Sequence, residues 1–182
     1  MANPFRKSNR NSSSAKKAKK AGDEFEESLE AAFLIYRMRR LAKIHKIDPP
    51  MYYDSKKQAF MPSGESNFLD FGGCWSERGG QALWIEAKST QGPYLQLGHH
   101  KDGLKNSQWN NLLEWEGSGA AVMLVWKSQG VILHAGTADI KRALADGRSS
   151  LTADYCRPVP CNPQRTHIDV LAAHAQYMLP NL

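Results

Sequence analysis

Several things are scarce in these 182 residues. There are only three cysteines, Cys74, Cys156 and Cys161. An odd, sparse set excludes a disulfide framework and points to reduced thiols in a cytoplasmic protein. No run of about 18 apolar residues occurs, so no membrane span is expected. Acid is missing from residues 1–20, which hold seven Lys or Arg and no apolar stretch of the kind a secretory signal needs. The remainder is close to balance, with 17 Lys or Arg against 18 Asp or Glu, so the formal charge of +6 sits in one arm.

That arm is polar, basic and rich in Ser and Asn. It cannot bury a core and is expected to be disordered without a partner. Its cations, Arg6, Lys7, Arg10, Lys16, Lys17, Lys19 and Lys20, suit nucleic acid or another polyanion, and binding would then fall steeply with salt. The plain alternative is a solubilising tail. A folded domain is expected over 21–148, followed by a C-terminal extension over 149–182. Pro158, Pro160 and Pro163 make that extension partly extended. Its last helix, 167–178, carries Val170, Leu171, His174 and Met178 on one face.

Within the domain, 22–45 reads as a helix: Phe25, Leu29, Phe33, Tyr36, Arg40 and Ile44 step by three or four. Acids crowd its start and bases its end, as the helix dipole favours. The Pro49-Pro50 pair closes it. Short strands are expected at 51–53 and 67–72. Gly72-Gly73 and Gly79-Gly80 bracket a flexible turn into a strand over 81–88. A loop carries His99, His100, Lys101 and Lys105. A helix follows over 107–116, then a doubly buried strand over 120–126, a strand over 131–135 and a short helix from Thr137. This order describes an α/β domain, a small mixed central sheet flanked by helices.

The chemistry concentrates in Asn67 to Thr90. On the strand Glu86 and Lys88 share a face, because side chains alternate. With Asp70 on a neighbouring antiparallel strand, two carboxylates and an ammonium converge. Mg²⁺ binds through one or two carboxylates, keeps waters and takes phosphate oxygens. Asp70 and Glu86 are therefore candidate metal ligands, with the Ala87 carbonyl a third. Lys88 would stabilise charge on phosphorus, and Gln108, at a helix start, would position water or phosphate. Glu26 reads equally as a dipole partner or as a group aimed at the site. A Glu-x-Lys pair on a strand is ordinarily a surface salt bridge. This one ends an apolar strand, lies near an acid set in Phe68-Leu69-Asp70-Phe71, and shares its chain with a basic arm. His99, Lys101 and Lys105 read as phosphate contacts. A zinc set of Cys156, Cys161, His167 and His174 has poor spacing and a Pro-rich setting.

These residues resemble the RecU family of Holliday junction resolvases. Gly22-Asp23-Glu24-Phe25-Glu26 is similar to its opening motif, and Tyr36, the segment 42–46 and Pro49-Pro50 to the next. Asp70-Phe71-Gly72-Gly73 and Ile85-Glu86-Ala87-Lys88-Ser89-Thr90 resemble its two acidic motifs. Leu97, His99 and Gln108 resemble its following stretch. The resemblance implies a restriction-endonuclease-like, PD-(D/E)xK nuclease core and a Mg²⁺-dependent endonuclease, with Mn²⁺ as substitute. It implies a homodimer cutting four-way DNA junctions in recombination and repair, in the cytoplasm of a bacterial or phage-infected cell. The catalytic set would be Glu26, Asp70, Glu86 and Lys88, with Gln108 in support. The stretch from Pro50 to Asp70, where the family builds a stalk that enters the junction, is short here. The alternatives are another DNA nuclease of the same fold and a non-catalytic DNA-binding accessory protein.

Overall fold

The computed structural model describes residues 10–48, 51–62, 69–98, 103–160 and 168–178, with residues 10–18 and Pro62 described by backbone alone. The chain opens with helix α1 (Arg10–Met38), then strands β1 (Ala42–Lys46), β2 (Met51–Asp54), β3 (Ala59–Pro62), β4 (Phe71–Trp75) and β5 (Gln81–Thr90). Short strands β6 (Leu95–Gly98) and β7 (Leu104–Lys105) lead into helix α2 (Asn106–Gly117). Strands β8 (Ala121–Ser128) and β9 (Val131–Ala135), helix α3 (Thr137–Ala145), strands β10 (Ser150–Leu151) and β11 (Arg157–Pro158), and helix α4 (Val170–Met178) complete it. The main sheet has six strands in the order β1-β4-β5-β8-β9-β11. Its single parallel pair is β5–β8, and the other neighbours run antiparallel. This is the expected mixed sheet flanked by helices. Among the described residues, no helix is long and apolar enough to cross a membrane.

The first helix departs from expectation at both ends. It begins at Arg10, inside the stretch read as a disordered arm, and it stops at Met38. Arg40 takes a left-handed φ of 59° and the Leu41 N–H bonds back to the Tyr36 carbonyl, so the chain turns instead of continuing the helix. Residues 42–46 then form an edge strand against β4, burying Ala42 and Ile44 alternately. Ile44 satisfied a helical step from Arg40 and also a strand step from Ala42. Tertiary pairing decided between them.

The apolar stripe of α1 (Phe25, Leu29, Ala32, Phe33 and Tyr36) packs on one face of the sheet with Phe71, Leu83, Ile85 and Ala87. Each fully buried large side chain there contributes about 1.5–3 kcal/mol. On the other face Leu124 and Trp126 pack with Leu69, with Leu112 of α2 and with Ile140 of α3. Gly72 and Gly73 lie within β4, not in a turn. The tight turn is Ser76–Arg78, followed by Gly79 and Gly80 at positive φ of 67° and 81°. The expected strand over 67–72 starts later, at Phe71, and residues 63–68 lie outside the described residues. Helix α3 is capped by Asp139, which accepts the Gly136 N–H, while the Thr137 hydroxyl donates to Glu116.

The C-terminal segment shares this core. Val159, Ile168, Val170, Leu171 and Ala173 pack with the α1 stripe. Tyr36 donates its hydroxyl to the Asp169 carboxylate at 3.0 Å, tying the first helix to the start of the last. His174 meets His134 of β9, with ring nitrogens 3.0 Å apart and both side chains buried. This geometry removes His174 from the zinc reading. Cys161 and His167 lie outside the described residues, and Cys156 packs against the opposite face of the sheet.

Burial pushes His134 down to about 3, reinforced by His174 and Arg157. Burial also pushes His174 down to about 4, with Arg78 adding and Glu116 opposing. In the unfolded chain both rings take up protons near pH 6.5, so folding stability falls as pH drops from there toward 4. Between pH 6.5 and 5 the histidine pair should remove on the order of 2 kcal/mol, read as the difference in urea unfolding between the wild type and a variant without the pair, since the buried Glu86 shifts both proteins alike. A His174→Leu variant should lose less over the same interval. Parallel losses in the two proteins would remove the pair as the cause.

Candidate active site

The β4–β5 hairpin builds the centre of the site. Phe71 pairs with Ile85, so the next step of the antiparallel register sets Asp70 across from Glu86. Asp70 sits in the bend before β4, with its carbonyl accepting the Ile47 N–H at 2.8 Å and its Oδ2 accepting the Ala87 N–H at 2.8 Å. The Gly-rich turn thus brings the two acids together despite their separation in sequence.

Glu86 is 0 % exposed. Its Oε1 lies 2.6 Å from the Lys88 Nζ and also accepts from Gln108 Nε2. Gln108 is oriented by the Lys105 N–H, which donates to its Oε1 at 3.1 Å at the start of α2. Glu86 Oε2 is buried and finds no donor among the described residues. Burial, then the nearby Asp70 carboxylate, push Glu86 up to about 8 against the pull of Lys88. Burial raises Asp70 too, Lys88 and the Ala87 N–H pull it down, and Glu26 pushes it up. Two carboxylates facing each other in a dry setting call for a proton or a cation between them.

The donor set fits a hard divalent cation. It offers the orphaned Glu86 oxygen and the adjacent Asp70 carboxylate, both oxygens, beside the Ala87 backbone. Among the described residues no group of three or more His, Cys, Asp or Glu converges as a metal cluster. Two carboxylates, with water and phosphate for the remaining positions, is the coordination Mg²⁺ favours.

Asp70, Glu86, Lys88 and Gln108 are thus brought into one cluster. Glu26 stands at its edge on α1. Its Oε2 pairs with the Lys46 Nζ at 2.8 Å, and Glu30 lies 3.7 Å from the same ammonium. Sequence reasoning misses Lys46 because it assigns 42–45 to a helix. As a strand, β1 turns Ala42, Ile44 and Lys46 toward α1. Lys19, Lys20 and Lys105 are exposed, and Lys20 pairs with Glu24 at 3.6 Å. Arg10, Lys16 and Lys17 lie on the first turns of α1. Arg6, Lys7, His99 and Lys101 lie outside the described residues.

The stretch between Pro50 and Asp70 contains a hairpin of which the sequence suggests only the first strand, at 51–53. Tyr53 and Phe60 pair across β2–β3 with ring centroids 5.4 Å apart, edge to face. Met51, Tyr52, Tyr53 and Phe60 are all more than half exposed, and Lys56 and Lys57 lie at the turn.

No family model matches the chain, and no curated protein matches it. Among solved structures, the chain is similar to Hjc, a Holliday junction resolvase from the archaeal hyperthermophile Archaeoglobus fulgidus. The identity is 14%, over 70% of this chain and 88% of that one, with a TM-score of 0.43.

Proposed function

We propose that the protein is a divalent-metal-dependent DNA endonuclease with a PD-(D/E)xK core, acting as a homodimer on four-way junctions. The observation that carries the nuclease reading is the buried Glu86 carboxylate, one oxygen of which finds no donor among the described residues, set across from Asp70 beside the Lys88 ammonium. The order of motifs from Glu26 to Gln108 supports the junction reading. So does the exposed aromatic hairpin with lysines at its turn, in the place of the family's stalk.

In this reading Asp70 and Glu86 would hold Mg²⁺ or Mn²⁺, with the Ala87 carbonyl as a further ligand. The ion supplies charge neutralisation on the phosphate and acidifies water. Gln108 and Lys88 fix Glu86 through Oε1 and leave Oε2 for the ion. The Lys88 ammonium also faces the scissile phosphate, where it stabilises the negative charge that builds on the oxygens as water adds. Glu26, at the edge, orients the attacking water. The reaction forms one P–O bond to water and breaks one to the leaving sugar oxygen, which takes up a proton. The basic residues of the arm, with His99, Lys101 and Lys105, bind backbone phosphates. A two-fold dimer places two sites on opposed strands.

The test is cleavage of a synthetic four-way junction and of a matched linear duplex, with and without Mg²⁺. Paired nicks placed symmetrically across the crossover, lost in Asp70→Asn, are expected. Equal cutting of duplex removes junction selectivity and leaves a general nuclease. Cutting that persists in Asp70→Asn, or no metal-dependent cutting at all, removes the site assignment.

A further inference from the structure

We propose that Lys46 is a positioning residue that holds Glu26 beside Asp70. The inference rests on the nuclease reading for one of its readouts and stands apart from it in another.

Lys46 closes β1, paired across the ladder with Phe71, the residue after Asp70. The next residue, Ile47, donates its N–H to the Asp70 carbonyl, so the backbone carrying Lys46 is bonded to the backbone carrying Asp70. From that fixed point the ammonium reaches Glu26 at 2.8 Å and Glu30, one turn further along α1, at 3.7 Å. Glu26 and Asp70 repel, since the Glu26 charge is felt at Asp70. A glutamate on a helix surface can relieve that repulsion by rotating toward solvent. The Lys46 contact opposes the rotation and keeps the carboxylate at the edge of the site.

Lys46 has a rival role. It is 43% exposed at its side chain and lines a cavity of about 170 Å³ with Arg37 and His45, so it could instead meet a DNA phosphate. The local charge weighs against this. Glu26, Glu30 and Asp48 all act on this one ammonium, and a cation surrounded by acids is a poor phosphate anchor.

The experiment uses the full chain as wild type, Lys46→Met, Lys46→Arg, Glu26→Gln and the Glu26→Gln/Lys46→Met double variant. In Mg²⁺-dependent cleavage, Lys46→Met should lower kcat about 10- to 100-fold, the usual effect of removing a partner that orients a site group, with KM changed less than about threefold. Lys46→Arg should restore most of kcat. The double variant should be no slower than Glu26→Gln alone. The second readout is Mn²⁺ binding by calorimetry without DNA. Glu26→Gln should weaken it about threefold when Lys46 is present, because a nearby negative charge is lost, and much less in the Lys46→Met background.

A raised KM together with a salt slope shallower by about one would make Lys46 a phosphate contact and overturn the proposal. So would an unchanged kcat, or a loss that tracks a lowered melting temperature and is not rescued by arginine. Equal effects of Glu26→Gln on Mn²⁺ binding in both backgrounds would also overturn it. If the wild type cuts no DNA, the nuclease reading fails, and the calorimetric comparison still decides whether Lys46 holds Glu26.

Discussion

Replacing Glu86 with glutamine is expected to destroy metal-dependent cleavage while leaving the fold more stable. The carboxylate is fully buried, and among the described residues only one of its oxygens has donors, Lys88 and Gln108. Its titration is pushed up to about 8, so between pH 4.5 and 8 the folded state binds more protons than the unfolded chain. Stability contributed by this group therefore falls as pH rises across that window. Glutamine keeps a carbonyl for Lys88 and Gln108 and removes the charge. Part of the gain is offset by the weaker partner left for Lys88, so a net stabilisation of about 1 kcal/mol near pH 7.5 is expected without divalent ions. Cleavage should fall on the order of 10³-fold, the scale for removing a group that stabilises transition-state charge. Urea unfolding and single-turnover cleavage in Mg²⁺ measure the two effects. A variant that is less stable and still cuts would show that Glu86 is a structural ion pair.

The largest stability loss is expected from Gly73→Ala. A Cβ there would lie 1.9 Å from the Lys43 carbonyl oxygen and 2.8 Å from the Ile44 Cα, both backbone atoms that cannot rotate aside. The β1 strand would have to leave the sheet, taking with it the buried Ala42 and Ile44, the Ile47–Asp70 bond and the Lys46 contact to Glu26. A loss above about 4 kcal/mol is expected, the range reserved for broken backbone packing. Gly92→Ala is the control, since no described residue lies within 4 Å of where its methyl group would stand; it should change stability by less than about 0.5 kcal/mol. Chemical denaturation of both variants decides the matter. A mild effect of Gly73→Ala would mean that β1 can shift without cost.

The difference between these two glycines shows what a sequence conceals. Gly72-Gly73 and Gly79-Gly80 look alike as dipeptides, and reading both as turn residues is the natural choice. Only the second pair needs positive φ. The first is required by the proximity of another strand, and proximity has no local signal. Glu86, Lys88 and Gln108 were legible because their placement follows from local periods, alternation along a strand and the first turn of a helix. Asp70 was legible because an acid among apolar residues stands out. The helix-to-strand change at Arg40 was hidden, because Ile44 fits both periods. Lys46 was hidden with it. The hairpin β2–β3 was half visible: Met51-Tyr52-Tyr53 reads as a strand, while Ala59–Pro62, carrying a proline, does not.

The bond from Tyr36 to Asp169 has a consequence for synthesis on the ribosome. The stripe of α1 is made before the segment that seals Tyr36, which follows it by 133 positions. The hairpin that unites Asp70 with Glu86 spans few residues and can form as it emerges. The closing contact must wait until the residues around Asp169 have been made. Nascent protein should therefore pass through a stage in which Asp70 and Glu86 are already together and the surface around Tyr36 is still open to solvent. That stage is the one most exposed to aggregation and most dependent on chaperones.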